Sequence, residues 1–296
     1  MASVPFYIVD VFAVKPYSGN QLAVILDAGE LTTETMQTIA KEINFSETTF
    51  ILGDRPENGG YPVRIFTPTQ ELPFAGHPTL GTAYIIQQAI IGSTVERVTL
   101  NLQVGQIPVH WQTENQTEIL WMQQNPPEFT ATYSKEVLAP ILSLEPEDID
   151  DRFPIQTVST GIPFIIVPLK TQAALKRCRI QQPLYFEFIE DKPVKMIFVF
   201  CPETKHPENT FSARMFADYL GIPEDPATGS ANGCFAGYLV QHHYLETEDI
   251  HNVRVEQGYE INRPSLLHLS AHRHQDTISV QVGGTVIPIA KGEFFL

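Results

Sequence analysis

A chain of 296 residues with 43% hydrophobic content is long enough for two domains, each with a real core. Its 34 acidic against 19 basic side chains leave a net charge of −15, which excludes the basic surfaces that bind nucleic acid and anionic membranes. A small anionic substrate is not excluded, because a few local donors can outweigh a global charge.

Residues 1–14 lack both a basic leader and a long apolar stretch and do not read as a signal peptide. Pro5 to Val14 reads as a strand, Gly19-Asn20 as a turn, and Leu22 to Leu26 as a second strand, so a hairpin is expected. Met36, Ile39, Ala40 and Ile43 share one face of a helix from Thr32 to Ile43, capped by Thr32 or Thr33. Strands follow at Thr48–Leu52 and Tyr61–Thr67. Leu80 to Ile90 is apolar nearly all round and predicts a buried helix. Strands at Arg97–Leu102, Gln106–Trp111 and Glu118–Gln123 complete the first half.

Asn125 to Asp151 is rich in proline and acid, with one short helix near Ser134 to Leu142, and its start is the expected domain connection. The second half repeats the first: strands at Thr157–Ser159 and Phe164–Pro168, a helix near Gln172–Cys178, strands at Lys195–Cys201 and Phe211–Phe216, and a small-residue helix from Ala231 to Val240. Three strands come after it, and Gly284 to Leu296 is one more, long enough to return to the first domain. The expected domains are therefore 1–124 with 284–296, and 125–283. The longest apolar run, Ile162 to Leu169, is too short to span a bilayer.

The two halves echo each other in order. Gly19 to Ile25 resembles Gly161 to Val167, Arg64-Ile65-Phe66 resembles Arg214-Met215-Phe216, and Gly76-His77 aligns with Gly229-Ser230. The offsets, 142, 150 and 153 residues, are about half the chain, which is the mark of a duplicated domain. In both copies a loop runs into a helix start. His77 and Ser230 are the expected helix caps, with Pro78 at the first helical position, and helix N-termini bind anions. Asp225 lies five residues before Ser230, so a carboxylate, a hydroxyl and a helix N-terminus can converge. Glu47, among Phe45, Phe50 and Ile51, is placed where desolvation raises a carboxyl pKa, which suits proton transfer. Cys178, Cys201 and Cys234 are irregularly spaced and read as reduced thiols of a cytoplasmic protein; the HExxH, Walker A and GxGxxG patterns are absent.

Asn44-Phe45-Ser46-Glu47-Thr48-Thr49-Phe50, Phe74-Ala75-Gly76-His77-Pro78 and Asp225-Pro226-Ala227-Thr228-Gly229-Ser230-Ala231 together resemble the phenazine-biosynthesis PhzF-like family, and Gly19 to Val24 fits its opening pattern. The resemblance extends from Asp10 to Gly292-Glu293. It implies an α+β, diaminopimelate epimerase-like fold: two pseudo-symmetric domains, each a mostly antiparallel, barrel-like sheet round a central helix. It also implies a site in the cleft between domains and a homodimer. The implied activity is isomerisation of a small cyclic or unsaturated carboxylic acid such as trans-2,3-dihydro-3-hydroxyanthranilate, with neither metal nor organic cofactor. Glu47 is then the general acid/base, His77 and Asp225 are the other catalytic groups, and Gly76, Gly229 and Ser230 bind substrate. Related racemases place a thiol at each helix N-terminus; here His77 and Ser230 stand there and Cys234 lies one turn further in. An amino-acid racemase on the same scaffold, or a non-catalytic small-molecule-binding or interaction protein, remain the alternatives.

Overall fold

The structure, a computed structural model, describes residues 2–114 and 116–296. The chain forms two compact units, one ending at Gln123 and resuming with Gly283–Leu296, the other spanning Gln124–Val282.

The first unit contains β1 (Ser3–Val11), β2 (Asn20–Ile25), α1 (Thr33–Ile43), β3 (Glu47–Ile51), β4 (Tyr61–Phe66), β5 (Glu71–Leu72), α2 (Gly76–Ile85), β6 (Arg97–Leu102), β7 (Gly105–Glu114) and β8 (Thr117–Gln124). In the second come β9 (Glu128–Tyr133), α3 (Lys135–Ile141), β10 (Ile155–Ser159), β11 (Pro163–Pro168), α4 (Gln172–Arg177), α5 (Gln182–Ile189), β12 (Met196–Cys201), β13 (Phe211–Ala217), β14 (Ile222–Asp225), α6 (Gly229–Gln241), β15 (Ile250–Gln257), β16 (Ser265–His274) and β17 (Thr277–Gly284). The last strand, β18 (Val286–Phe295), belongs to the first unit.

Strand pairing shows the duplication directly. β1–β2 and β10–β11 are antiparallel, and β2–β3 and β11–β12 parallel. Next come antiparallel β3–β4 and β12–β13, then parallel β4–β6 and β13–β15. The outer edge of β1 is filled by β18, and that of β10 by β9. In each unit the sheet packs on one nearly all-apolar helix: α2 against β1, β2, β3, β6, β7 and β18, and α6 against β10, β11, β15 and β16. Small residues permit that approach. A Cβ on Gly81 of α2 would stand 2.6 Å from Leu22 and 2.9 Å from Val11. The opposite sheet faces are covered by outer helices. α1 lays Met36, Ile39 and Ala40 on Ile25, Phe50 and Phe66. In the second unit α3, α4 and α5 cover Ile165, Val167, Ile197, Val199 and Phe216. Together these features make the α+β, epimerase-like architecture.

Both units repeat one ion pair. Arg64 donates through Nε and Nη2 to the two Glu71 oxygens, at 2.7 and 2.6 Å, and Arg214 does the same to Glu224, at 3.0 and 2.7 Å. Each guanidinium also lies over a phenylalanine ring two residues on, 5.0 Å from Phe66 and 4.9 Å from Phe216.

Several expectations change. Neither His77 nor Ser230 is a helix cap: the caps are Ala75 and Thr228, so both residues sit second in their helices and Pro78 is third. The reason is that Thr79 returns its hydroxyl to the Ala75 carbonyl and the Asn232 N–H already reaches the Thr228 carbonyl, so each helix closes its first turn earlier. The buried first helix is α-helical only to Ile85 and widens to a π-helical turn over Ile86–Ile91. The proline- and acid-rich segment holds strand β9, and Glu224-Asp225 closes β14 instead of lying in a loop. Among the described residues no helix is long and apolar enough to cross a membrane.

Candidate active site

In the first unit three side chains are brought to one end of the parallel pair β2–β3. Asn20 opens β2 and Glu47 opens β3, so parallel pairing places them at the same end, with Glu47 opposite Leu22. Two turns set those starting points. Gly19 has φ +72°, and a Cβ there would run into the Val11 carbonyl and the Ala13 backbone, so only glycine fits. Asn44 ends α1 in the left-handed conformation at φ 56°, which asparagine tolerates, and the chain then turns into β3. His77, in the first turn of α2, joins them.

His77 Nδ1 lies 3.2 Å from the Asn20 amide nitrogen and Nε2 lies 3.5 Å from Glu47 Oε2. The imidazole is only 4% exposed. Burial drives its pKa down to about 3, against a smaller opposing effect of a hydrogen bond with the Gln21 backbone. The ring is therefore neutral at pH 7, and its approach to Glu47 is not an ion pair. A neutral imidazole has one donor and one acceptor nitrogen. His77 Nε2 thus stands 3.5 Å from Glu47 Oε2 as a neutral ring nitrogen beside a carboxyl. A half-buried carboxyl beside a neutral imidazole is placed for proton transfer.

The same burial makes stability depend on pH. His77, and His268 held down to about 4 by burial and by Arg254, bind fewer protons folded than unfolded in the window below about pH 6.5. Their depressed values stabilise the fold above that pH, and the contribution is lost as pH falls through the window. We expect the calorimetric melting temperature to drop between pH 7 and 4, and to drop less steeply in His77→Gln. An equally steep fall in the variant would remove His77 from this account.

In the second unit the start of α6 is held by buried amides that sequence reasoning missed. Gln257, at the end of β15 and 1% exposed, donates to the Asp225 carbonyl at 2.9 Å and to Thr228 Oγ1 at 3.1 Å. Its Oε1 accepts from the Asn232 amide at 3.0 Å and from the Thr228 N–H at 3.3 Å. The Thr228 hydroxyl donates to the Asp225 carboxylate. Gln124 donates to the Gly229 carbonyl at 2.9 Å and is itself held by Thr160. Asp225 and Thr228 are thus fixed, and with Ser230 they are 6–8% exposed.

The two central helices start without a side-chain cap, as do the outer helices α3 and α5. α1 and α4 carry side-chain caps, Thr32 and Thr171, whereas neither Ala75 nor Thr228 caps its helix with a side chain. At α6 the first helical bond is made by Asn232, so the N–H groups of Gly229, Ser230 and Ala231 precede it without a helical acceptor. At α2 Pro78 has no N–H, and Gly76 and His77 supply the corresponding donors. Buried, uncapped and glycine-opened helix starts are suited to anions. All three cysteines are buried, and burial pushes each thiol up to about 12, so none supplies a thiolate at neutral pH.

The copies have diverged in their acids. By strand register, Met196 of the second unit occupies the position of Glu47, and Leu72 of the first that of Asp225.

The described pattern matches the phenazine biosynthesis-like protein family, PhzC-PhzF, over residues 9–292. The chain is 32% identical to trans-2,3-dihydro-3-hydroxyanthranilate isomerase of Pseudomonas aeruginosa over 295 residues, 98% of this chain and 99% of that one. The crystal structure of a Bacillus anthracis phenazine biosynthesis protein of the PhzF family superposes with a TM-score of 0.91 at 28% identity, covering both chains completely. A probable proline racemase from Agrobacterium radiobacter shares the fold alone, with a TM-score of 0.63 at 11% identity over 99% of this chain and 93% of that one.

Proposed function

The chain belongs to the phenazine biosynthesis-like family and is an isomerase of that family, and on this premise we propose that it moves a proton within a small cyclic or unsaturated carboxylic acid, with Glu47 as the general acid/base. The observation that carries the reading is the 3.5 Å approach of the half-buried Glu47 carboxyl to the buried, neutral His77 imidazole.

In this reading Glu47 takes a proton from a substrate carbon, the C–H electron pair shifts the double bond, and the same carboxyl returns the proton to another carbon. No oxidant, reductant or cofactor enters that balance. His77, neutral beside the carboxyl, is assigned to orient it. The uncapped N–H groups of Gly229 and Ser230, and of Gly76 at the other helix, are assigned to substrate carboxylate or hydroxyl groups. Asp225, held by Thr228, is assigned to the substrate's amino or hydroxyl side. Two-thiol racemisation finds no support in thiols that stay protonated.

The test is incubation with trans-2,3-dihydro-3-hydroxyanthranilate and related unsaturated acids in deuterated water, followed by NMR. A shifted double bond is expected. Inversion at one carbon without such a shift would replace the reading with racemisation, and no turnover of any such acid would favour a binding protein. We also propose a homodimer; a monomer by light scattering at micromolar concentration would remove it.

A further inference from the structure

At the opposite end of β15 from Gln257, the second unit gathers a different set of side chains. Asp249 immediately precedes β15, His251 is its second residue, and His272 lies near the end of β16. The antiparallel register pairs Ile250 with Ala271, which sets Asp249 across from His272. Asp249 and His251 flank Ile250, the last paired residue before a bulge at which Asn252 has φ 47°. The result is a triad in which one ring nitrogen each from His251 and His272 and one Asp249 oxygen all lie within 4.8 Å of one another. Asp249 Oδ2 is 3.7 Å from His272 Nδ1, and the two imidazole centroids are 4.5 Å apart.

Asp249 is also oriented. Its Oδ1 accepts the Arg273 N–H at 2.8 Å, and that backbone bond is the main cause holding the carboxyl below its usual range. Oδ2 is left directed at His272. A carboxylate fixed by a backbone N–H is the outer support that metal-ligand acids need. His274, two residues beyond His272 on the same strand side, has its ring centroid 6.4 Å from that of His272.

We propose that Asp249, His251 and His272 form a surface site for a divalent transition-metal ion of the zinc class, joining the start of β15 to β16. The donor set is two imidazoles and a carboxylate, which suits zinc, nickel or copper and not calcium or magnesium, which take oxygen ligands. Ligand atoms bound at about 2.0–2.1 Å from a tetrahedral ion stand roughly 3.4 Å apart. The 3.7 Å approach of Asp249 to His272 already nears that spacing, and His251, on an exposed side chain, closes by rotamer change. Water or His274 fills the fourth position. The ion would clip a hairpin and take no part in proton transfer: His251 and Gln257 stand at opposite ends of β15.

The test is calorimetric titration of Zn²⁺ into the full chain after EDTA treatment, with Ca²⁺ as the control ion. Expected are one saturable Zn²⁺ site per chain, a melting temperature that rises with Zn²⁺, and no response to Ca²⁺. His251→Gln and His272→Gln should each weaken binding by at least about tenfold, since loss of a ligand costs no less than loss of an outer-shell partner. Their melting temperatures in EDTA should match the parent, which keeps a folding defect from passing as lost binding. Two results overturn the proposal: no binding at 100-fold excess metal, or equal binding by the parent and both variants, which would place the ion on other histidines.

Discussion

Glu47→Gln is expected to lower turnover by at least about 10²-fold, the low end for loss of a general acid/base, while ligand affinity and melting temperature stay near those of the parent. Glutamine keeps the shape and can still hydrogen-bond with His77, but it cannot carry a proton between two carbons. Glu47→Asp should also be impaired, because the carboxyl retreats by one methylene and proton transfer depends on reach. Single-turnover kinetics with a bound cyclic acid would separate the chemical step from binding. Full activity in Glu47→Gln would end the assignment and move the base to His77 or Asp225.

The second large effect is on stability. Glu224→Gln should destabilise the protein by about 3–5 kcal/mol, and Glu71→Gln by about 1 kcal/mol or less. The two pairs share geometry and differ in burial. The Arg214 and Glu224 side chains are 3% and 7% exposed, those of Arg64 and Glu71 25% and 22%. Losing the Glu224 charge leaves the Arg214 charge buried and unneutralised, with a neutral amide oxygen beside the Leu175 and Cys178 carbonyls it already reaches at 2.8 and 2.7 Å. Water can replace Glu71 at the other pair. Urea midpoints with unchanged slopes would measure both. Equal losses would show that burial is not what sets the value of these bridges.

Much of the fold could be read from residue pattern. The helix α1 was legible because Met36, Ile39, Ala40 and Ile43 recur at helical spacing behind Thr32, whose hydroxyl does cap it. The duplicated arginines could be seen, but their partners could not: Glu71 and Glu224 stand seven and ten residues away, and no fixed spacing announces them. Helix α5 was missed because Leu184, Tyr185, Phe186 and Phe188 look like a strand; only Tyr185 and Ile189 are buried, one helical turn apart. Strand β9 carries mostly exposed residues, so it has no apolar alternation to read. At the candidate site, Glu47 was singled out as a carboxyl placed for proton transfer and His77 as a helix-start residue, and the structure sets them 3.5 Å apart, whereas Gln257 and Asn232 could not be read. They act through amide contacts to a loop about 5–30 residues away in sequence, which only the folded register brings within reach.

The strand β18 has a consequence for synthesis. It pairs with β1 from Ser3–Phe295 to Val11–Val286, so a strand made before the second unit and a strand made after it are neighbours. The second unit is continuous in sequence and has all its strands once Gly284 has left the ribosome. The first unit, begun earlier, keeps an open edge along β1 until β18 emerges. Half of a duplicated protein is therefore finished out of order: the copy translated first is the copy completed last, and its unpaired edge is presented to other nascent chains for the whole time the second copy is being made.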